Sequence, residues 1–212
     1  ERRLLNAFVT MPSARVLQCK HDGLEARVGG LATSIQKRIS KKNQTPWATI
    51  TLEDGDQRLE VLAFNKCYAR YADKLQPDQP LLVCGEISLR DNEPRLMANE
   101  IYRLDEAPRN FGRLVVLLID EVSNDGATLT ELATLLRRFP GKLPLRLCVV
   151  DSQKRRVVVD SADPFRVEAS PEFVEAVEKL LGRNRITFES RDDVYREYRP
   201  RRYSSRPRGD AG

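Results

Sequence analysis

The sequence predicts two small units in series, a mainly β barrel followed by an α+β layer. Three observations carry this expectation. Apolar residues alternate with period two through residues 24–104, interrupted by a single helical stretch. Continuous apolar runs and helical periodicity take over after residue 112. Between them, residues 105–111 (DEAPRNF) have the composition of a short linker. A chain of 212 residues is long enough for two such units, each with a modest core.

Residues 1–22 hold scattered apolar side chains broken by Pro12, which suits the end of an upstream helix and a connector. Glu1 in place of Met points to a piece of a longer chain. The first domain is expected over 23–105. Its first strand is placed at 24–37, with Gly29 and Gly30 marking the bend a small barrel needs to close. After a loop at 40–46, strand two is expected at 47–53, with Ala48, Ile50 and Leu52 facing inward and Trp47, Thr49 and Thr51 outward. The turn Asp54-Gly55-Asp56 leads to strand three at 58–64, which turns Leu59, Val61 and Ala63 to the core.

Asn65 is the expected cap of a helix at 66–75, where Tyr68, Tyr71, Ala72 and Leu75 recur at spacings of three and four. Pro77 and Pro80 stop it. Strands four (81–89) and five (96–104) are joined by the polar turn at 90–94. Five strands with a helix between the third and fourth is the OB order, a partly open Greek-key barrel.

The second domain is expected over 112–190. An apolar run at 114–119 reads as a buried strand. Thr128 and Glu131 make a capping box for a helix bearing Leu129, Leu132, Leu135 and Leu136, ended by Pro140-Gly141. Strands follow at 145–150 and 156–160. A helix opened by Ser170-Pro171 carries Phe173, Val174, Val177, Leu180 and Leu181 to Gly182, and a last strand spans 185–188. Strand, helix, strand, strand, helix, strand is the order of a small ferredoxin-like (split βαβ) domain. The tail, 191–212, is rich in Arg, Pro, Ser and Gly, lacks a run of aliphatic residues and is expected to be disordered. Its arginines, interleaved with Tyr195, Tyr198 and Tyr203, suit an electrostatic clamp on nucleic acid.

Composition excludes several kinds of chemistry. His21 is the single histidine, which removes Ser/His/Asp and Cys/His catalysis and His-rich metal sites. Cys19, Cys67, Cys84 and Cys148 lie far apart without CxxC spacing, so they read as reduced thiols. The acidic neighbours Glu53-Asp54, Asp91/Glu93, Asp120-Glu121 and Asp192-Asp193 fall at strand ends and turns, where carboxylates are ordinary, and not in a convergent two-metal pattern. No catalytic residue, metal or cofactor is therefore expected. There is no apolar run of about 18 residues and no signal peptide, so a cytoplasmic location is expected.

The formal charge is +5, which suits a polyanionic partner. In OB folds the binding surface spans strands two and three and the loops joining strands one to two and four to five. Here those positions hold Lys37, Arg38, Lys41 and Lys42 around the first loop. Trp47, Thr49 and Arg58 lie on the strand face, and Arg90 and Arg95 flank the second loop. Cations that track phosphates and flat rings that accept unpaired bases are the chemistry of single-strand binding. Phe64, Tyr68 and Tyr71, on or beside the helix, read as packing.

The segments VGGLATSIQKRISKKNQTPWATITLED, LEVLAFNKCYARYADKL and LLVCGEISLRDNEPRLMANEI together resemble the OB domain near the carboxy terminus of the bacterial DNA polymerase III alpha subunit. Residues 112–190 are similar to the domain that follows it, most of all in the SPEF helix ending LLG. The resemblance implies that the OB domain holds the single-stranded template and that the last domain docks a clamp-loader subunit or another replisome protein. It also implies that the polymerising aspartates lie upstream, in a palm domain outside this chain. Trp47 stands where that family usually has an aliphatic residue, and Thr49 where an aromatic is common. The competing expectations are a pure protein-interaction module and an anticodon-type tRNA-binding OB domain.

Overall fold

The computed structural model describes residues 2–41, 43–90, 93–120, 126–151, 153, 155–160 and 166–191. Two short helices, α1 (Arg2–Phe8) and α2 (Ser13–Leu17), precede five strands: β1 (Glu25–Ile39), β2 (Pro46–Asp54), β3 (Gln57–Phe64), β4 (Gln79–Ser88) and β5 (Arg95–Arg103). These close into a barrel in the order β1-β2-β3-β5-β4, with β4 returning to β1. The β3–β5 contact is parallel and the others are antiparallel. Ala48, Ile50 and Leu52 of β2 and Leu59, Val61 and Ala63 of β3 are fully buried, as the alternation requires.

β1 serves two neighbours: 25–32 pair with β4 and 31–39 with β2. The irregularity that allows this falls between Ala32 and Ser34, beyond the glycines expected to mark it. Gly30 has a different task, because a Cβ there would collide with the Glu53 carbonyl. Gly85 sits at the β4–β5 irregularity, where a Cβ would meet the Met97 carbonyl. Both positions trade a side chain for close backbone approach.

The helix between β3 and β4 is α3 (Asn65–Tyr71), continued by a 3-10 turn at Ala72–Lys74. Asn65 is its first residue, at φ 40°, and does not cap it from outside. Its Oδ1 accepts from Thr45 Oγ1 at 2.7 Å, so the side chain ties the loop after β1 to the helix instead.

Residues 105–111 are not a free linker. A 3-10 turn at Leu104–Glu106 runs into α4 (Ala107–Phe111). Ala107 and Phe111 are buried with Phe8, Leu82 and Cys84 in a cluster that joins α1, the barrel and α4. Apolar residues in a short connector have to be buried somewhere, and here they fill the seam.

The second unit contains β6 (Gly112–Asp120), α5 (Gly126–Arg138), β7 (Pro140–Leu143), β8 (Leu145–Val150), β9 (Arg156–Asp160), α6 (Pro171–Leu181) and β10 (Ile186–Ser190). The expected α+β composition is present, with the sheet order β10-β6-β8-β9. In a split βαβ a strand would separate β6 from β8. Here β6 and β8 pair directly and in parallel, which corrects that detail. The physical reason is burial. β8 contributes Leu145, Leu147 and Val149 to the core, whereas every residue of β9 is exposed and suits only an edge.

α6 starts as its sequence signals: Ser170 Oγ accepts from the Phe173 amide at 3.3 Å, Pro171 follows, and the helix ends at Gly182 with φ 93°. α5 does not open at Thr128. It is already helical at Gly126, so the Thr128/Glu131 pair lies inside the helix. Thr130 and Thr134 turn their hydroxyls onto the Gly126 and Thr130 carbonyls, at 2.9 and 3.0 Å.

One buried cation fastens the two units. Arg27 of β1 is fully buried. Its Nε donates to the Phe8 carbonyl, its NH2 donates to Ser190 Oγ of β10 at 2.6 Å, and its guanidinium lies 4.4 Å from the centre of the Phe111 ring. In the connector after β5, Lys74 Nζ donates to Glu106 at 2.7 Å, and the Arg103 amide donates to the same carboxylate at 2.9 Å. Burial pushes the Glu106 carboxyl up, but the Lys74 hydrogen bond leads the contacts that hold it below its ordinary range.

Candidate nucleic-acid interface

The outer face of the β1–β2–β3 ribbon follows from register. Arg38 pairs with Trp47, and Trp47 pairs with Phe64. Side chains of directly paired residues stand on one face, so the three form a row across adjacent strands. Trp47 and Phe64 stack with centroids 5.0 Å apart and planes at 28°. The Arg38 guanidinium lies 5.4 Å from the Trp47 centroid on the β1 side. Trp47 is therefore the middle layer of a cation–aromatic–aromatic stack. Arg38 NH2 also donates to Gln36 Oε1 at 2.8 Å, a neutral acceptor that leaves the guanidinium charge in place.

Beside this stack an open hollow of about 470 Å³ is lined by Arg38, Ile39, Ser40, Lys41, Asn43, Trp47, Phe64 and Asn65. The Thr45 hydroxyl holds the loop through Asn43 Oδ1 and Asn65 Oδ1, both at 2.7 Å. Among the described residues no carboxylate pairs with Arg38 or Lys41. This end of the ribbon thus offers positive charge, half-buried ring surface and amide groups together.

The remaining predicted residues are distributed differently. Lys37 pairs with Ala48 and so emerges on the other face of the ribbon from Arg38. Thr49 shares the Trp47 face, between Gln36 and Leu62, and is half-buried. Arg58 lies at the far end of that face and is bound to Glu53 at 2.8 Å. Arg95 is held between Glu60 at 3.4 Å and Glu93 at 3.2 Å. Arg90 is exposed beyond the end of β4. Lys42 lies outside the described residues, as do the tail arginines and tyrosines after Arg191. The structure brings Arg38, Lys41 and Trp47 to one hollow, while Arg58 and Arg95 have their charge balanced by carboxylates.

Phe64, expected from the sequence to pack beside the helix, does pack, and its ring partner is Trp47 on the outer face of the ribbon. Its signal was available: β3 buries Leu59, Val61 and Ala63, so even-numbered residues up to Phe64 must face outward with Trp47. Ile39, Asn43 and Asn65 line the hollow without a sequence signal of their own.

The described members of the candidate acidic pairs are engaged in the scaffold. Glu53 binds Arg58, Asp54 Oδ2 accepts from the Ser13 amide at 3.3 Å, and Asp120 lies 3.6 Å from Arg185. Asp91, Glu121, Asp192 and Asp193 lie outside the described residues. Among the described residues no three metal-ligating side chains converge, and no helix is long and apolar enough to cross a membrane.

A closed five-stranded barrel with this order and an aromatic, cationic outer face defines an OB-fold domain, and residues 26–104 match the family described as the OB-fold nucleic acid binding domain. Curated relatives named DNA polymerase III subunit alpha bear out the resemblance. The Mycobacterium tuberculosis protein is 28% identical over 158 residues, covering 74% of this chain and 13% of that one. The Saccharopolyspora erythraea protein is 43% identical over 67 residues, covering 32% of this chain and 6% of that one. This chain thus spans a small fraction of the length of the relatives it matches. Among solved structures, the single-stranded DNA binding protein from Thermus aquaticus is 24% identical, covering 38% of this chain and 39% of that one, with a TM-score of 0.33. Asparaginyl-tRNA synthetase from Pyrococcus horikoshii is 14% identical, covering 44% and 22%, with a TM-score of 0.35.

Proposed function

We propose that the barrel binds single-stranded DNA as part of a replicative DNA polymerase large subunit, holding the unpaired template on the outer face of β1–β3. The observation that carries this reading is the Arg38–Trp47–Phe64 stack beside Lys41 at the rim of an open hollow. Because neighbouring strands cover both faces of Trp47, an incoming base has two places to stack. It can stack on Phe64 at the end of the row, or displace Arg38 from Trp47 and release its guanidinium to a phosphate. The second route couples stacking to charge contact.

In this reading the second unit docks a replisome protein such as a clamp-loader subunit, and the polymerising chemistry belongs to other parts of the parent chain. The internal pairing of Arg146 with Asp160 and Glu189, and of Arg185 with Asp120, supports a protein-facing role over a nucleic-acid-facing one for that unit.

Fluorescence anisotropy with labelled oligo-dT tests the barrel. Affinity should fall as salt rises, and absence of binding at about 50 mM salt rejects the proposal. Trp47→Ala should weaken binding by roughly tenfold, within the range of about 1–3 kcal/mol that a stacked base contributes. An unchanged affinity returns Trp47 to packing. Competition with single-stranded RNA separates the template reading from an anticodon-type one: RNA displacing the DNA at lower concentration favours the latter.

A further inference from the structure

Among the described residues β9 is the outer strand of the second sheet, bonded to β8 on one side. Its three consecutive valines, Val157, Val158 and Val159, are 55%, 56% and 47% exposed. Open strand edges are usually blunted by proline, lysine or a bulge, and the segment 156–160 (RVVVD) contains none of these.

The phase of the ladder shows which backbone groups of β9 are spare. The Asp151 amide donates to the Arg155 carbonyl at 3.0 Å, and the next pair along is Val150 with Arg156. Bonded pairs alternate in an antiparallel ladder, so Val149–Val157 and Leu147–Val159 are bonded pairs. The N–H and C=O groups of Arg156, Val158 and Asp160 therefore point to the open edge.

We propose that this edge pairs with β9 of a second copy of the chain, antiparallel, about a two-fold axis through Val158. In that register Arg156 faces Asp160 of the second copy, Val157 faces Val159, and Val158 meets itself. The outward groups of 156, 158 and 160 then meet their counterparts in phase, each pair exchanging both of its hydrogen bonds. A slip by one residue puts those groups out of phase. A slip by two sets a charge against a valine, and a slip by four sets Arg156 on Arg156 or Asp160 on Asp160. An in-register parallel pairing also stacks like charges. The order Arg-Val-Val-Val-Asp is thus complementary to itself in one arrangement, the isologous one a two-fold dimer requires.

The neighbouring charges fit the same arrangement. Arg146 Nε donates to Asp160 Oδ1 at 2.6 Å and Arg146 NH2 to Oδ2 at 3.3 Å, while Arg146 NH1 lies 3.6 Å from Glu189. The Asp160 side chain is still 66% exposed. Arrival of Arg156 from the second copy extends an alternating row of Glu189, Arg146, Asp160 and Arg156.

Sedimentation equilibrium of the full 212-residue chain over about 1–200 µM tests the proposal. The expected result is reversible doubling of mass. Val158→Pro removes an amide that faces the open edge, so the β8–β9 ladder keeps its bonds. It should raise the dimer dissociation constant by roughly tenfold or more, and Arg156→Asp should do the same by facing Asp160 with a like charge. Both variants should retain the wild-type circular dichroism and oligo-dT anisotropy, which separates this proposal from the barrel's binding role. A wild-type chain of single mass across the whole range overturns it. So does a dimer that survives both substitutions at wild-type strength.

Discussion

The barrel and the second sheet solve the same problem in opposite ways. Each strand of the barrel is bonded on both sides, because β1 is long enough to pair with β2 and β4 and the parallel β3–β5 contact closes the remaining gap. The second sheet stays open and ends on β9, a strand with no buried residue. Closure leaves the outer face of the barrel, not its edges, as the place where ligands meet it. An open sheet leaves an edge, and an edge is a binding surface by construction. The two regions therefore present different chemistry: rings and cations on the barrel, backbone and valines on the sheet.

The seam that joins them is the first place to break the comparison. Arg27→Ala removes hydrogen bonds to the Phe8 carbonyl and Ser190 Oγ and the contact with the Phe111 ring. It should destabilise the chain by about 3 kcal/mol, or roughly 10 °C in melting temperature. Trp47, the single tryptophan, reports the barrel by fluorescence, while far-UV circular dichroism reports both units. The two transitions should coincide in the wild type and separate in the variant. Coincident transitions in Arg27→Ala would mean that the apolar cluster around Phe8 and Phe111 couples the units without it.

Gly85→Ala strikes the barrel alone by placing a Cβ against the Met97 carbonyl, with an expected loss of about 2–3 kcal/mol in urea unfolding followed by Trp47 fluorescence. Ser170→Ala strikes the second unit alone by removing the acceptor for the Phe173 amide, with an expected loss of about 1 kcal/mol in the dichroism transition. Both variants leave the Arg27 seam intact, so each should move the two probes together; probes that separate would mean that the units unfold independently despite the seam.

The smallest effect concerns Cys67. Burial, with the nearby Glu100 charge, pushes its thiol up to about 11. A group whose folded value is raised favours the native state below its unfolded value, and that contribution is lost as pH rises through the folded one. Native-state alkylation of Cys67 should stay slow at pH 8 and accelerate only toward pH 11, while urea-unfolded chain labels readily at pH 8. Rapid native labelling at pH 8 would show that the α3 region opens independently of the barrel.

Much of the fold was written in local pattern. The inward sets of β2 and β3, the helix signals Ser170, Pro171 and Gly182, and the OB element order follow from alternation, capping and turn chemistry. Each of these acts within a few residues of chain. Trp47 facing outward came from the same alternation. The places that only tertiary structure decided are those where one segment's side chains depend on a distant neighbour. Asn65 turned from capping to holding Thr45. Gly30 of β1 and Gly85 of β4 proved to be sites of backbone approach, and Arg27 became a buried fastener across 163 residues of sequence to Ser190. Strand order in the second sheet belongs here too. β8 and β9 are both rich in aliphatic residues, and which of them lies beside β6 depends on how much surface the two helices can cover, a three-dimensional quantity that periodicity does not carry.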